Sequence, residues 1–303
     1  MSESDASPTH AVLITGAGGQ LGIELQRCAW PEDWEVVALD RAGLDLTDAT
    51  AISAKVAERD WAAVINAAAY TAVDKAEDDV VTAWAVNALA PAAFGEACAK
   101  AGIPLVHVST DYVFAGDKDG AWDIDDPVAP LGVYGASKLG GELAVRTSGA
   151  RHAIVRTAWV VSAHGHNFIK TMLRFGETRD MLRVVDDQVG SPTSAADLAW
   201  ALMMIAQRLA TDESAPTGTL HFSNTGAISW AGFATEIFRQ SRERGGPGSQ
   251  VLPITTADYP TPARRPANSL LNTRAIRAAY GIEPRSWQDA LGDILDELIG
   301  ARI

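Results

Sequence analysis

Cysteine is nearly absent from this 303-residue sequence: only Cys28 and Cys98 occur, without a CxxC spacing. That excludes a disulfide framework and the usual structural zinc sites, and it fits a reducing cytoplasm. Positive charge is scarce too, with 25 Lys and Arg against 38 Asp and Glu and a formal net charge of −13. Binding to a phosphate backbone needs clustered cations, so no nucleic-acid partner is expected. An anionic ligand requires a local basic or backbone-amide pocket. Long apolar runs are also missing. The most apolar segments, around 62–69 and 198–206, fall well short of the ~18 residues of a membrane span, so no membrane partner is expected. Residues 1–10 are polar, with no basic stretch leading into an apolar one. They read as a flexible tail rather than a signal peptide.

What is present is the balance of a folded globular chain, 47% hydrophobic and 21% charged, long enough for one sizeable domain or two packed lobes. Short apolar runs alternate with helical patterns from Ala11 onward, which predicts βαβ units and a parallel sheet. Strands are expected near 11–15, 35–40, 62–66, 105–110 and 153–157. Helices are expected near 20–28, 50–59, 81–101 and 134–147, then near 167–178, 194–210, 229–242 and 286–299. The Pro-rich stretch 253–266 cannot be a regular helix. The expected fold class is α/β: a Rossmann-like doubly wound parallel sheet with a smaller C-terminal substrate-binding lobe. The dinucleotide-binding domain spans 11–160 with a returning segment near 182–225, and the lobe comprises 161–181 and 226–303.

The first strand runs into Thr15-Gly16-Ala17-Gly18-Gly19-Gln20-Leu21-Gly22. Gly16, Gly19 and Gly22 have the spacing that lets backbone amides and a helix N-terminus receive a pyrophosphate. Asp40, at the end of the second strand, stands where an acid holds a ribose hydroxyl, which favours NADH. Its neighbour Arg41 suits the 2′-phosphate of NADPH, so NADPH or NADH remains open. Asp45-Leu46 lie in a turn where an adenine can rest, and the small side chains of Ala67, Ala68 and Ala69 let a cofactor pass closely.

Tyr134 and Lys138 are four apart and share a helix face. Reduction of a ketone needs a proton donor at the carbonyl oxygen, and a phenol requires a nearby cation to stabilise its anion. Lys138 is that cation. Thr110, in Ser109-Thr110-Asp111-Tyr112-Val113-Phe114, ends the fourth strand, at the sheet edge where open α/β sheets bind ligands, and its hydroxyl can orient the carbonyl.

With these residues in hand, the chain resembles the extended short-chain dehydrogenase/reductases, and within them the dTDP-4-dehydrorhamnose reductase family, over nearly its whole length from Ala11. The likeness is carried by Gly19-Gln20-Leu21-Gly22, Asn66 through Glu77, Ser109 through Phe114, and Val133-Tyr134-Gly135 with Lys138. It continues in Arg156-Thr157-Ala158-Trp159, Asn167-Phe168, Asp187-Gln188, Gly190 through Thr193, Tyr259 through Pro262, and Arg265 through Ser269. The resemblance implies nicotinamide-dependent reduction at C4 of dTDP-4-dehydro-β-L-rhamnose to dTDP-L-rhamnose, a precursor of cell-surface polysaccharide. It further implies that Tyr134 is the proton donor, that Lys138 also holds the nicotinamide ribose, and that Gln20 and Leu21 join the cofactor site. Thr71, Val73, Asp111, Trp159, Asn167, Arg265 and Asn268 are implied at the substrate.

Some members of the family hold Mg²⁺ at a dimer contact through acidic side chains. Glu24 matches one such ligand, but the second acid falls on Ala196, with Asp197 one residue late and turned by about 100° on a helix. No metal site is therefore assigned, and the chain is expected as a monomer or homodimer. His164 and His166, flanking a glycine, read as loop residues. The alternatives are another nucleotide-sugar 4-ketoreductase or epimerase, or a non-catalytic dinucleotide-binding subunit like methionine adenosyltransferase β. Thr110, Tyr134 and Lys138 together favour an enzyme.

Overall fold

In the computed structural model, which describes residues 9–300, the strands are β1 (His10–Thr15), β2 (Trp34–Leu39), β3 (Ala63–Asn66), β4 (Leu105–Thr110), β5 (His152–Thr157) and β6 (Val160–Val161). They are followed by β7 (Met181–Val185), β8 (Val189–Gly190), β9 (Thr193–Ser194), β10 (Gly218–His221), β11 (Ile228–Ser229) and β12 (Gln250–Ile254). The helices are α1 (Gln20–Arg27), α2 (Ala49–Ala57), α3 (Val73–Ala76), α4 (Val80–Trp84), α5 (Ala90–Ala101) and α6 (Val133–Thr147). After them come α7 (Phe168–Gly176), α8 (Ala195–Thr211), α9 (Trp230–Glu243), α10 (Arg274–Tyr280) and α11 (Trp287–Gly300).

Six strands form one sheet in the order β2-β1-β3-β4-β5-β10, and every pairing is parallel. Alternate residues feed opposite faces, as the period-2 geometry of a strand requires. Val12, Ile14, Ile65, Val106 and Val155 enter one core with α8, while Leu13, Val64, Leu105 and Ile154 enter the other with α2 and α5. Burial on both faces explains why these strands read as continuous apolar runs. The strand order reverses at β1, between β2 and β3, and the crevice beyond the carboxyl ends at such a reversal is where open sheets receive ligands.

The five expected strands and eight expected helices fall within a few residues of observed elements, with one interruption. The helix expected over 81–101 is broken by a π-helical segment, Ala85–Leu89. Helix α6 comes so close here that a Cβ on Gly141 would stand 2.2 Å from the Asn87 carbonyl oxygen. The wider turn lets Asn87 bridge the Tyr70 backbone, accepting from its N–H at 2.8 Å and donating to its carbonyl at 3.1 Å. Of the expected tail, residues 1–8 lie outside the described residues. His10 instead opens β1, because its register against Trp34 extends the sheet by one residue.

A third core is built from α7, α9 and α11 over the parallel pair β7 and β12. Leu182 and Val184 belong to this core, whereas Ile276 and Ile282 pack with the main sheet. The division of the cores thus departs from the expected boundaries at both places. Pro253 lies in β12, a strand paired on one side only, where a missing N–H is tolerated. Among the described residues, no helix is long and apolar enough to cross a membrane.

Candidate active site

A cleft of about 860 Å³ opens along the carboxyl edge of the sheet. Its floor begins at the glycine turn. Gly16 has φ +80°, and a Cβ on Gly22 would lie 2.0 Å from the Gly16 carbonyl oxygen. Only glycines permit this contact between turn and helix, and it leaves the start of α1 open to the cleft. Asp40, at the end of β2, accepts the N–H groups of Ala42 and Gly43, both at 3.0 Å. Arg41 lines the same end of the cleft. Ala67, Ala68 and Ala69 form the wall beyond β3. The backbone shape and small side chains fit a dinucleotide. Asp45 and Leu46 are absent from this lining, and Asp45 is engaged by Thr47 through its N–H at 2.9 Å and its hydroxyl at 2.8 Å.

At the other end of the cleft stand Thr110, Asp111, Tyr134 and Lys138. Helix α6 carries Tyr134 in its first turn and Lys138 one turn on, and both face β4. Lys138 is buried and donates to the Val108 carbonyl at 2.7 Å. Burial pulls its ammonium down to about 8, with Glu142 opposing the shift. Burial pushes the Tyr134 phenol up, a hydrogen bond with Thr110 opposes this, and the charge of Asp111 reinforces it. The phenol is therefore protonated at neutral pH, the form a proton donor needs. Asp111 is pushed up to about 6 by burial, against the Ser269 and Thr110 hydroxyls. Its Oδ1 accepts from the Thr110 hydroxyl at 3.0 Å.

Thr71, Val73 and Trp159 also line this cleft. Trp159 holds φ +50°, the one positive value outside glycine among the described residues. Two expected substrate residues are placed differently. Asn167 caps α7 and donates to Gln20 at 2.8 Å and to the Ser162 carbonyl at 2.7 Å. Asn268 donates to the carbonyls of Lys118 and Gly120 at 2.7 and 2.6 Å. Neither lines this cleft.

A second cleft of about 730 Å³ adjoins the first, and Tyr112 lines both. It is lined by Phe168, Phe175 and Trp230, with Arg179, Arg183 and Arg265. Arg265 donates to Asp74 at 2.6 Å and to the Tyr112 hydroxyl at 3.0 Å, and the Tyr112 ring meets Tyr134 edge-on at 5.4 Å. Sequence reasoning missed Tyr112, Arg179 and Arg183. Tyr112 lay within a motif already noticed, but Arg179 and Arg183, just before and within β7, carry no local pattern, and Arg265 reaches the same cleft from the loop after β12.

The acidic side chains near Glu24 do not fit a divalent cation. Glu24 is joined by Glu297 and His164, but Arg27 occupies the space between them, donating to Glu297 at 2.7 Å, approaching Glu24 at 3.8 Å and contacting His164. Asp197 is turned to Asn224 at 2.7 Å and Arg285 at 2.9 Å. No group of three or more potential metal ligands occurs among the described residues.

The family model described as the RmlD substrate binding domain matches residues 10–299. The dTDP-4-dehydrorhamnose reductase of Sinorhizobium fredii is 42% identical over 92% of this chain and 94% of its own. That of Mycobacterium tuberculosis is 42% identical over 96% and 94%. The crystal structure of the Bacillus anthracis dTDP-4-dehydrorhamnose reductase in complex with NADP superposes with a TM-score of 0.88, at 37% identity, over 95% of this chain and 99% of that one. With the fold, the glycine turn and the Thr110, Tyr134 and Lys138 cluster in agreement, this chain belongs to the dTDP-4-dehydrorhamnose reductase family.

Proposed function

We propose that this chain reduces the C4 ketone of dTDP-4-dehydro-β-L-rhamnose to dTDP-L-rhamnose, with NADPH or NADH as the reductant. The observation that carries this reading is that one cleft joins the glycine turn to Thr110, Tyr134 and Lys138. A cytoplasmic location would give access to the reduced nicotinamide pool and is part of the same reading.

When bound, the reduced nicotinamide supplies a hydride to the carbonyl carbon. Thr110 orients the carbonyl oxygen through its hydroxyl, and Tyr134 donates its phenolic proton to that oxygen as C=O becomes CH–OH. Lys138 stabilises the resulting phenolate and holds the nicotinamide ribose. Asp40 and Arg41 contact the adenosine ribose. Trp159, Thr71, Val73 and Asp111 surround the sugar. The second cleft, with three guanidiniums on a chain of net charge −13, receives the nucleoside diphosphate, since guanidinium donors match phosphate oxygens bidentately. The third core, with β7 and β12, thus borders most of the nucleotide end.

The test is oxidation of NADPH by the full-length protein with dTDP-4-dehydro-β-L-rhamnose, with the product identified as dTDP-L-rhamnose. Turnover with that sugar supports the reading. No turnover, or purified protein carrying stoichiometric NAD⁺ as epimerases and dehydratases do, overturns it.

A further inference from the structure

The helix face that bears Tyr134 and Lys138 continues to Glu142, since residues four apart stand above one another. Glu142 is fully buried. Its Oε1 accepts the Ser109 hydroxyl at 2.6 Å and Arg156 Nε at 2.8 Å. Its Oε2 accepts Arg156 Nη2 at 2.8 Å and Arg146 Nη2 at 2.9 Å. Arg156 is 1% exposed, with its guanidinium 4.9 Å from the centre of the Phe114 ring. Desolvating such a pair is costly, and well-packed apolar residues would hold the fold equally well, so stability alone does not account for it.

Its placement does. Ser109 stands in β4 between Val108, whose carbonyl accepts from Lys138, and Thr110, the hydroxyl partner of Tyr134. Arg156 faces Ser109 across the β4–β5 register. One carboxylate therefore ties the helix bearing both proton-transfer groups to the strand bearing their partners.

We propose that Glu142 is a positioning residue for the reduction: anchored by Arg156 and Ser109, it sets α6, and with it Tyr134 and Lys138, against the end of β4. The proposal rests on the role given to Lys138 above.

The charged and titratable groups around Lys138 are Tyr134 and Glu142 on α6, His107 on β4, Arg156 on β5 and Asp111 beyond β4. His107 is held well below its ordinary range by burial and by Lys138 itself, so it is neutral. Of the charges, Glu142 is the one that opposes the downward pull of burial on Lys138. Removing it leaves that pull unopposed.

The experiment titrates Lys138 by lysine-selective NMR in the full-length protein, with Lys138→Met identifying the signal. Two variants are compared with wild type, Glu142→Gln and the double Glu142→Leu/Arg156→Leu. Because Glu142→Gln leaves Arg156 unpaired in the interior, the double variant, in which both charges are replaced by apolar groups, carries the decision. The expected result is a fall in the Lys138 midpoint of at least about half a unit in Glu142→Gln, with the alkaline limb of kcat shifting the same way and Glu142→Asp recovering part of the loss, and, in the double variant, where the two opposite charges go together, a lower kcat as α6 loses its tie to β4. An unchanged midpoint in Glu142→Gln, a shifted midpoint with wild-type kcat and alkaline limb, wild-type kcat in the double variant, or failure of the double variant to fold overturns the proposal, the last because it would make the pair purely structural. If the wild-type protein turns over no keto-sugar, the proposed function fails, and the titration still decides the role of Glu142.

Discussion

Trp159 and Trp230 stack with ring centres 3.5 Å apart and planes inclined by 12°. Trp159 follows β5 in the sheet domain and Trp230 opens α9 over the third core, so the stack joins the two parts of the molecule at the rim of both clefts. It also holds Trp159 at φ +50°, a conformation that costs a bulky residue about 1–3 kcal/mol unless its surroundings enforce it. Trp230→Ala is expected to destabilise the protein by roughly 2–4 kcal/mol and to raise KM for the sugar nucleotide more than KM for the dinucleotide. Denaturant melts with steady-state kinetics check this, and equal changes in both KM values would contradict it.

Tyr134→Phe removes the phenolic hydroxyl, with its hydrogen bond to Thr110, and keeps the ring. Its kcat should fall about 10²–10⁴-fold, while NADPH binding, followed by fluorescence quenching, stays within a few-fold of wild type. A variant that retains wild-type kcat would remove Tyr134 from the chemistry.

Asp111 is fully buried and its carboxyl is raised from 3.8 to about 6. A group protonated more readily in the folded state contributes stability below its unfolded pKa and loses it as pH rises through the folded value. Asp111 is therefore a liability above pH 6. Asp111→Asn should gain roughly 1–3 kcal/mol at pH 8, with the gain vanishing near pH 4, and, under the proposed function, should lose turnover. Thermal melts at the two pH values give the answer, and an equal gain at both would sink the electrostatic account.

If Arg41 serves the 2′-phosphate, Arg41→Ala is expected to weaken NADPH by about tenfold while leaving NADH nearly unchanged. Parallel loss of both cofactors would assign Arg41 a structural role instead.

Arg27 already lies between Glu24 and Glu297, at 3.8 and 2.7 Å, so chelation should not matter. Dialysis against EDTA followed by assay with and without Mg²⁺ should give the same kcat and the same thermal midpoint. A clear rise on adding Mg²⁺ would show that the cation displaces Arg27.

Much of the sheet domain was legible because its signals are local. Buried parallel strands read as apolar runs, glycines mark the turn, and a four-residue spacing places Tyr134 and Lys138 together. The break at 85–89 has a local signal that the helical reading passed over: Pro91 has no N–H to donate to the Asn87 carbonyl four residues back, where Gly141 of another helix also comes close. Asn167 and Asn268 looked like ligand contacts for the opposite reason: an amide in a motif has the same appearance whether it meets a sugar or a loop carbonyl. The division between lobes was misread at Leu182 and Ile276, where single short elements join a core distant in sequence.

By itself the sequence determined the α/β rhythm, the dinucleotide turn and the shared helix face of Tyr134 and Lys138, because each depends on residue type at fixed spacing along one chain segment. Only the tertiary structure decided that Glu142 joins Arg156 to Ser109, that Arg27 lies between Glu24 and Glu297, and that three arginines line a second cleft. Those arrangements depend on distances between segments up to 270 residues apart, which packing sets and no local pattern encodes.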